Sequence, residues 1–121
     1  MKKIAVFASG RGSNFQAIFV QIKSGNINAE VVCLISNNPK SHALEYARNN
    51  NIPAFSIDVK SPTSTEQSLT ILENHSAELI VLAGYMKLIP IEIVDRFSNK
   101  IINIHPALLP AFGGKGCYGM N

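Results

Sequence analysis

The chain has 121 residues, of which 46% are hydrophobic and 16% are charged. This length suits one domain with a hydrophobic core, and the composition excludes a disordered chain. The net charge of +3 comes from 11 basic and 8 acidic residues that are scattered along the sequence. We therefore expect no nucleic-acid partner, although an anionic small molecule would suit this charge. No apolar run approaches the roughly eighteen residues of a membrane helix, so no membrane partner is expected.

The cysteine content predicts the redox compartment. The two cysteines, Cys33 and Cys117, form neither a CxxC pair nor the spacing of a metal site. The apolar run at residues 4–8 is too short for the hydrophobic region of a signal peptide. We expect reduced thiols and a cytoplasmic location.

Five short apolar segments predict β-strands, and they alternate with segments of helical periodicity. The predicted strands are residues 2–8, 30–36, 53–57, 78–84 and 100–104. Between them, apolar positions recur at helical spacing in residues 15–22, 44–47, 69–72 and 91–97. Because successive parallel strands need crossover connections, this alternation predicts an α/β, Rossmann-like fold with one parallel sheet and helices on both faces.

Three loops are the candidate functional site. Parallel sheets bind ligands at the carboxyl ends of their strands, near the point where the strand order reverses. We therefore expect the chemistry in the loops after the first, fourth and fifth strands. These loops read SGRGSN (9–14), GYMKLIP (84–90) and HPALLPAFGGKG (105–116).

The first loop follows a strand and opens a helix. Gly10 and Gly12 allow a sharp turn that presents backbone amides to an anion, which predicts a phosphate site. The third glycine of a dinucleotide fingerprint would fall at Phe15, and no acidic residue ends the second strand, so a nicotinamide cofactor is not expected. The alternative is a plain tight turn in which Ser13 or Asn14 caps the helix.

The fifth strand ends in two polar side chains. Asn103 and His105 are separated by one residue, so both project from the same face of a strand. An amide can donate to a developing oxyanion and an imidazole can move a proton near neutral pH, which together suit acyl-type transfer. The alternative is a capping asparagine and a half-buried histidine without a reaction.

The loop after the fourth strand carries the apolar side chains of Met86, Leu88 and Ile89. Two interpretations stay open for them. They could be ordinary core residues, the commoner fate of such side chains. They could instead form the wall of an apolar slot for a flat ring.

Three segments occur in this order: FASGRGSNFQAI (7–18), VLAGYMKLI (81–89) and INIHPALLPAFGGKG (102–116). Together they resemble the phosphoribosylglycinamide formyltransferases, folate-dependent enzymes of purine synthesis, over essentially the whole chain. The resemblance implies the formyltransferase fold. It also implies attack of the amine of glycinamide ribonucleotide on the formyl carbon of the co-substrate 10-formyltetrahydrofolate, with no metal.

The resemblance also implies a role for each loop. It places the ribonucleotide against Gly12, Ser13, Asn14, Pro106 and Gly114, with the phosphate at the first three. It places the folate co-substrate against Met86, Lys87, Leu88, Ile89 and Asn103. In the implied reaction Asn103 donates to the carbonyl oxygen and His105 assists the proton transfers.

The chain departs from the family pattern in its acidic residues. The family's catalytic aspartate lies beyond the HPALLP segment, whereas every acidic residue here precedes His105. We therefore expect residues 1–121 to be the N-terminal, nucleotide-binding part of a formyltransferase domain whose C-terminal part is absent. Such a piece should have little or no turnover, and it should self-associate through uncovered apolar sheet surface. The start of the third helix offers Thr65, Glu66 and Gln67 where many members carry an arginine.

Three alternatives remain. A methionyl-tRNA formyltransferase shares the Asn, His and LLP pattern but is not expected to read GRGSN or FGGKG. A formyltetrahydrofolate hydrolase usually carries a regulatory domain before its catalytic domain, whereas the first strand here begins at Lys2. The third alternative is a non-catalytic module that binds a nucleotide phosphate at the first loop, with Asn103 and His105 purely structural.

Overall fold

The computed structural model describes residues 1–104, in which five strands alternate with four helices. The strands are β1 (Lys2–Ala8), β2 (Ala29–Ser36), β3 (Ala54–Ser56), β4 (Leu79–Ala83) and β5 (Ile101–Ile104). The helices are α1 (Ser13–Lys23), α2 (His42–Asn49), α3 (Ser64–Asn74) and α4 (Ile91–Arg96). The predicted α/β fold is confirmed.

The five strands form one sheet in the order β3-β2-β1-β4-β5. Every pairing between neighbouring strands is parallel. The chain starts in the centre of the sheet, builds outward through β2 to β3, and then returns to add β4 and β5 on the other side of β1. The strand order therefore reverses between β1 and β4, and the carboxyl ends of these two strands frame a crevice of the kind that binds ligands.

Helices cover both faces of the sheet, as predicted. Val6 of β1 packs in one apolar cluster with Phe15 of α1 and Leu44 of α2. The next residue, Phe7, packs in a second cluster with Leu72 of α3. Because successive side chains of a strand point to opposite faces, α1 and α2 lie on one face and α3 and α4 on the other. A strand buried on both faces needs apolar residues throughout, which explains the continuous apolar run of β1.

Aromatic rings fix α1 against α2. The Tyr46 ring lies edge-on to Phe15 at 5.7 Å and to Phe19 at 5.9 Å, with interplanar angles of 88° and 90°. Each pair of this geometry contributes about 0.5–1.5 kcal/mol beyond the area that it buries. The start of α1, which follows the first candidate loop, is thereby held in a defined position.

Candidate functional site at the carboxyl ends of β1, β4 and β5

The loop after β1 turns into α1 at Gly12, whose φ of 82° lies in the left-handed region. A Cβ at this position would lie 2.8 Å from Ala43 Cα and 3.0 Å from Ala43 Cβ, so only glycine fits against the start of α2. Gly12 is also the N-cap residue of α1 and makes no side-chain cap. The alternative in which Ser13 or Asn14 caps the helix is wrong, because both residues lie inside its first turn.

The start of α1 has the electrostatics of an anion site. The first backbone N–H groups of an α-helix have no acceptor within the helix, and the helix dipole places partial positive charge there. The first turn of α1 carries no acidic residue, and the exposed Arg11 directly precedes Gly12. A phosphate group suits this arrangement of amides.

Ser41 holds the loop after β1 from the side of α2. This buried residue is the N-cap of α2, and its Oγ accepts a hydrogen bond from the Ala43 N–H at 3.0 Å. The same hydroxyl donates to the Gly10 carbonyl oxygen at 2.8 Å. One side chain therefore caps a helix and fixes the loop that leads to Gly12.

Asn14 reaches across the crevice to β4. Its side chain is 6% exposed, and its Nδ2 atom lies 3.1 Å from the place where a Cβ of Gly84 would stand. Gly84 is the first residue after β4 and has a φ of 72°. The Oδ1 atom of Asn14 has no hydrogen-bond partner among the described residues. A buried acceptor without a donor costs about 1–3 kcal/mol, so this oxygen is a polar group that the described residues leave unpaired beside the crevice.

Ser9 joins the ends of three strands. It directly follows β1 and is 8% exposed. Its Oγ donates to Asn37 Oδ1 at 2.7 Å, just after β2, and accepts from the Met86 N–H at 2.8 Å, after β4. Sequence reasoning gave neither Ser9 nor Asn37 a role. The available signal was weak, namely a small polar residue that directly follows an apolar strand.

Most side chains in the segment after β4 point into solvent. Met86 is 80% exposed and Leu88 is 94% exposed, and Lys87 is exposed as well. The interpretation of Met86 and Leu88 as core residues is therefore wrong. Ile89 differs, because it is partly buried and packs against the cluster beneath α3 and α4. The segment thus offers an apolar surface beside the crevice.

Tyr85 anchors that segment to the sheet. Its ring lies edge-on to Phe7 of β1, with centroids 5.3 Å apart and an interplanar angle of 83°. Burial raises the pKa of the Tyr85 phenol above its usual value. Its hydroxyl is therefore neutral at physiological pH, and it contributes packing rather than charge.

Asn103 lies on β5 at the same level as residues of β1. It pairs with Leu82 of β4, which in turn pairs with Phe7. Two strand spacings separate Asn103 from Phe7, a backbone distance of roughly 10 Å. The Asn103 side chain is exposed, whereas Ile104 packs against the cluster beneath α1 and α2. By strand alternation Asn103 projects from the face of α3 and α4, the face to which residues 86–89 lead.

Three predicted site residues fall outside the described part of the chain. They are His105, Pro106 and Gly114. The structure brings together the Gly12 turn, Asn14, Ser9 and the segment after β4. It places Asn103 on β5, the strand that pairs with β4.

A groove of about 550 Å³ lies apart from the crevice. It runs beside the edge strand β3 and the start of α3, and Phe55, Glu66 and Gln67 are among its lining residues. These residues are remote from the ends of β1 and β4, because β3 is the outermost strand on the β2 side. The groove provides a reference surface for ligand-binding experiments.

Within residues 1–104, no helix combines the length and the apolar character needed to cross a membrane. The same residues contain no cluster of three or more His, Cys, Asp or Glu that could hold a metal ion. The Cys33 thiol is free and buried, and burial raises its pKa to about 12. Cys33 is therefore protonated at neutral pH and does not act as a nucleophile. Cys117 lies outside the described residues.

Comparison with known proteins identifies the family. Residues 2–120 match the sequence model for formyl transferase. The chain belongs to the formyl transferase family. This confirms the resemblance found in the three loop segments.

Proteins named as phosphoribosylglycinamide formyltransferases or transformylases are similar over almost the whole chain. The chloroplastic phosphoribosylglycinamide formyltransferase of Arabidopsis thaliana is 46% identical, across 98% of this chain and 42% of the relative. The phosphoribosylglycinamide formyltransferase of Bacillus subtilis is 45% identical, across 98% of this chain and 63% of the relative. The crystal structure of glycinamide ribonucleotide transformylase 1 from Geobacillus kaustophilus superimposes with a TM-score of 0.81 and is 41% identical, across 96% of this chain and 64% of that one. The chain thus spans less than two thirds of each of these proteins.

Proposed function

We propose that the full-length protein that carries this chain transfers the formyl group of 10-formyltetrahydrofolate to the amine of glycinamide ribonucleotide. The observation that supports this most directly is the crevice between β1 and β4. It places the Gly12 turn, at the positive end of the α1 dipole, beside the apolar surface of residues 86–89, an arrangement that suits a phosphorylated amine and a flat apolar ring. The names of the Arabidopsis and Bacillus relatives agree with this reaction.

In this proposal the ribonucleotide phosphate binds at the start of α1. The backbone amides of Ser13 and Asn14 donate to the phosphate, and the turn at Gly12 lets the phosphate approach the helix axis. Arg11 adds positive charge to the approach. Pro106 and Gly114 lie close to the ribonucleotide in the proposal.

The folate ring binds against the segment after β4. Met86, Leu88 and Ile89 supply apolar surface, and Lys87 lies among them. The exposed side chains of Met86 and Leu88 lose contact with water when a ring covers them, which contributes about 25 cal/mol for each Å² buried. Asn103 projects from the face of the sheet that α3 and α4 cover, and it completes the apolar wall formed by residues 86–89.

The chemical step is assigned to Asn103 and His105. The substrate amine attacks the formyl carbon, and the carbonyl oxygen takes up negative charge in the tetrahedral intermediate. Asn103 donates a hydrogen bond to that oxygen, a preorganised interaction that strengthens as the charge develops. His105 accepts the proton that the amine loses, and a proton reaches the folate nitrogen as its bond to the formyl carbon breaks.

We also propose a cytoplasmic location. The free thiol of Cys33 suits a reducing compartment, although it is buried and therefore protected in any case. The relatives include both a chloroplastic plant protein and a bacterial protein. We also propose that the 121-residue chain self-associates.

An assay of formyl transfer to glycinamide ribonucleotide by the full-length protein tests the proposed function. Replacing Asn103 by Ala should lower kcat by about 10²–10³-fold, and replacing His105 by Ala should lower it by about 10²–10⁴-fold. Asn26→Ala is the matched control, because Asn26 is exposed and its hydrogen bonds within residues 1–104 go to Gln21 near the end of α1. The 121-residue chain alone should show little or no turnover.

The same assay separates an enzyme from a binding module. The ribonucleotide affinity should stay within about threefold of the wild-type value in both variants, because the proposal places neither residue at the phosphate. Absence of formyl transfer by the wild-type full-length protein, with ribonucleotide binding intact, would favour the non-catalytic module.

A further inference from the structure

We propose that Ser9 is a positioning residue that holds the segment of residues 86–89 in place relative to the Gly12 turn. Its hydroxyl couples the surface for the formyl donor to the loop for the phosphorylated substrate. This inference rests on the proposed function, and it assigns to Ser9 a role in the geometry of the site rather than in contact with either substrate.

The two hydrogen bonds of Ser9 define its role. A serine hydroxyl has one proton and can accept through its lone pairs. The proton is committed to Asn37 Oδ1 at 2.7 Å, so a lone pair faces the Met86 N–H at 2.8 Å. With 8% of the residue exposed, water has little access to replace either bond. The hydroxyl therefore has one orientation that satisfies both partners.

The hydrogen bond from the Met86 N–H to Ser9 Oγ fixes the backbone of the segment after β4. Within residues 1–104 it is the one hydrogen bond that the backbone of residues 86–89 makes. The side chains of Met86 and Leu88 point into solvent and do not fix the backbone. Ile89 packs on the core at the far end of the segment. The Tyr85 ring holds the start of the segment against Phe7, and without the Ser9 hydroxyl the Met86 N–H would lose its hydrogen bond to the end of β1.

The hydrogen bond from Ser9 to Asn37 connects to the loop of Gly10 and Gly12, the proposed phosphate site. Asn37 precedes Asn38, whose carbonyl oxygen accepts from the Ser41 N–H at 3.0 Å. Ser41 Oγ donates to the Gly10 carbonyl oxygen at 2.8 Å. Hydrogen bonds and one peptide link thus run from Met86 through Ser9 to the loop of Gly10 and Gly12. The side-chain bonds of this network are partly buried, and linked hydrogen bonds of this kind favour one arrangement of the residues that they join.

Amide hydrogen exchange of Met86, followed by NMR in the 121-residue chain, tests the structural half of the inference. Ser9→Ala removes the acceptor, and the Met86 exchange rate should rise at least about threefold, as expected for loss of one hydrogen bond. Ser9→Thr retains the hydroxyl and should restore the slow rate if the added methyl group is accommodated.

Ser68→Ala is the matched control. Ser68 is about as buried as Ser9, with 6% of the residue exposed, but it lies on α3 and takes part in none of the hydrogen bonds that link Met86 to the loop of Gly10. The Met86 exchange rate should stay unchanged in this variant. A Met86 rate that is equally fast in wild type and Ser9→Ala, or equally raised by Ser68→Ala, would overturn the inference.

Steady-state kinetics of the full-length protein test the functional half. Ser9→Ala should raise KM for 10-formyltetrahydrofolate by about 3–10-fold, the range for loss of one hydrogen bond, while KM for the ribonucleotide stays within about twofold. A fold that was merely weakened would lower the amount of active protein without this split between the two KM values. An unchanged folate KM would overturn the positioning role.

The two readouts distinguish failure of the inference from failure of the proposed function. If the wild-type full-length protein transfers no formyl group, the proposed function fails. The exchange rate of the Met86 amide then decides alone whether Ser9 holds the segment.

Discussion

Gly12 shows how one residue can satisfy two demands at once. Its φ of 82° places the backbone in a region that costs other residues about 1–2 kcal/mol. The start of α2 lies so close that a Cβ would touch the Ala43 backbone, which cannot move aside as a flexible side chain can. Both demands arise because the loop must turn sharply between β1 and a helix that begins at Ser13.

Gly12→Ala should therefore lower the free energy of unfolding by more than about 2 kcal/mol, the sum of the conformational cost and the clash. Urea denaturation of the 121-residue chain measures this. Gly25→Ala is the first control, because Gly25 also has a positive φ but open space around it, so it reports the conformational cost alone. Gly10→Ala is the second control and should change stability by less than about 0.5 kcal/mol. A loss at Gly12 no larger than that at Gly25 would contradict the contact with Ala43.

At this scale the sequence predicts the turn at Gly12 but not the hydrogen bonds of Ser9. The turn was predictable because glycine spacing after a strand has a local physical meaning. The role of Ser9 was not predictable, because its partners Asn37 and Met86 are 28 and 77 residues away along the chain. Side-chain hydrogen bonds over such separations leave no periodic pattern in a single sequence.

Among the helices, α2 depends on its cap. The Ser41 hydroxyl accepts from the Ala43 N–H and donates to the Gly10 carbonyl oxygen, and the residue is 5% exposed. Ser41→Ala should lower the free energy of unfolding by about 1–2 kcal/mol, because the cap is lost and a carbonyl oxygen loses its donor. Urea denaturation again provides the measurement.

The N-cap of α3 supplies the control for this change. Thr63 is exposed at the equivalent position and makes no side-chain cap. Thr63→Ala should therefore cost less than about 0.5 kcal/mol. Equal effects of the two substitutions would show that the Ser41 cap does not stabilise α2.

Element boundaries were predictable where burial imposes a pattern. The strand β1 spans residues 2–8 as predicted, because burial on both faces requires an uninterrupted apolar run. The edge strand β3 is shorter than its predicted five residues, with three residues paired to β2. The helix α3 begins at Ser64, whereas its apolar periodicity begins at Leu69. Its first turn is polar and carries no apolar signal that would place the start.

The order of the strands belongs to the whole molecule. The alternation of strands and helices predicted a parallel sheet, but several orders satisfy that alternation. The observed order brings the loops after β1 and β4 side by side, although about seventy residues separate them. The candidate site is therefore a consequence of the strand order. Local sequence patterns could identify the loops but not the order that brings them together.

The exposed apolar surface after β4 predicts self-association of the 121-residue chain. Leu88 is 94% exposed, Met86 is 80% exposed and Ile91 is 64% exposed, and all three lie within six residues of sequence. Neighbouring apolar side chains of this kind favour contact between copies. Light scattering should show an average mass above that of a monomer. The Leu88→Glu substitution should lower this average mass. Val20→Glu is the control, because Val20 is 54% exposed but lies on α1. A monomer at high protein concentration would contradict this prediction.

The most direct measurement is a titration of the isotopically labelled 121-residue chain with glycinamide ribonucleotide, followed by the NMR shifts of backbone amides. Phosphate binding at the crevice predicts that the largest shifts fall on Ser13 and Asn14 at the start of α1. Gly12→Ala should abolish them, and the groove beside β3, with Phe55 and Gln67, should stay unchanged. Shifts that are largest at that groove, or that are absent from the start of α1 at saturating ligand, would contradict the account.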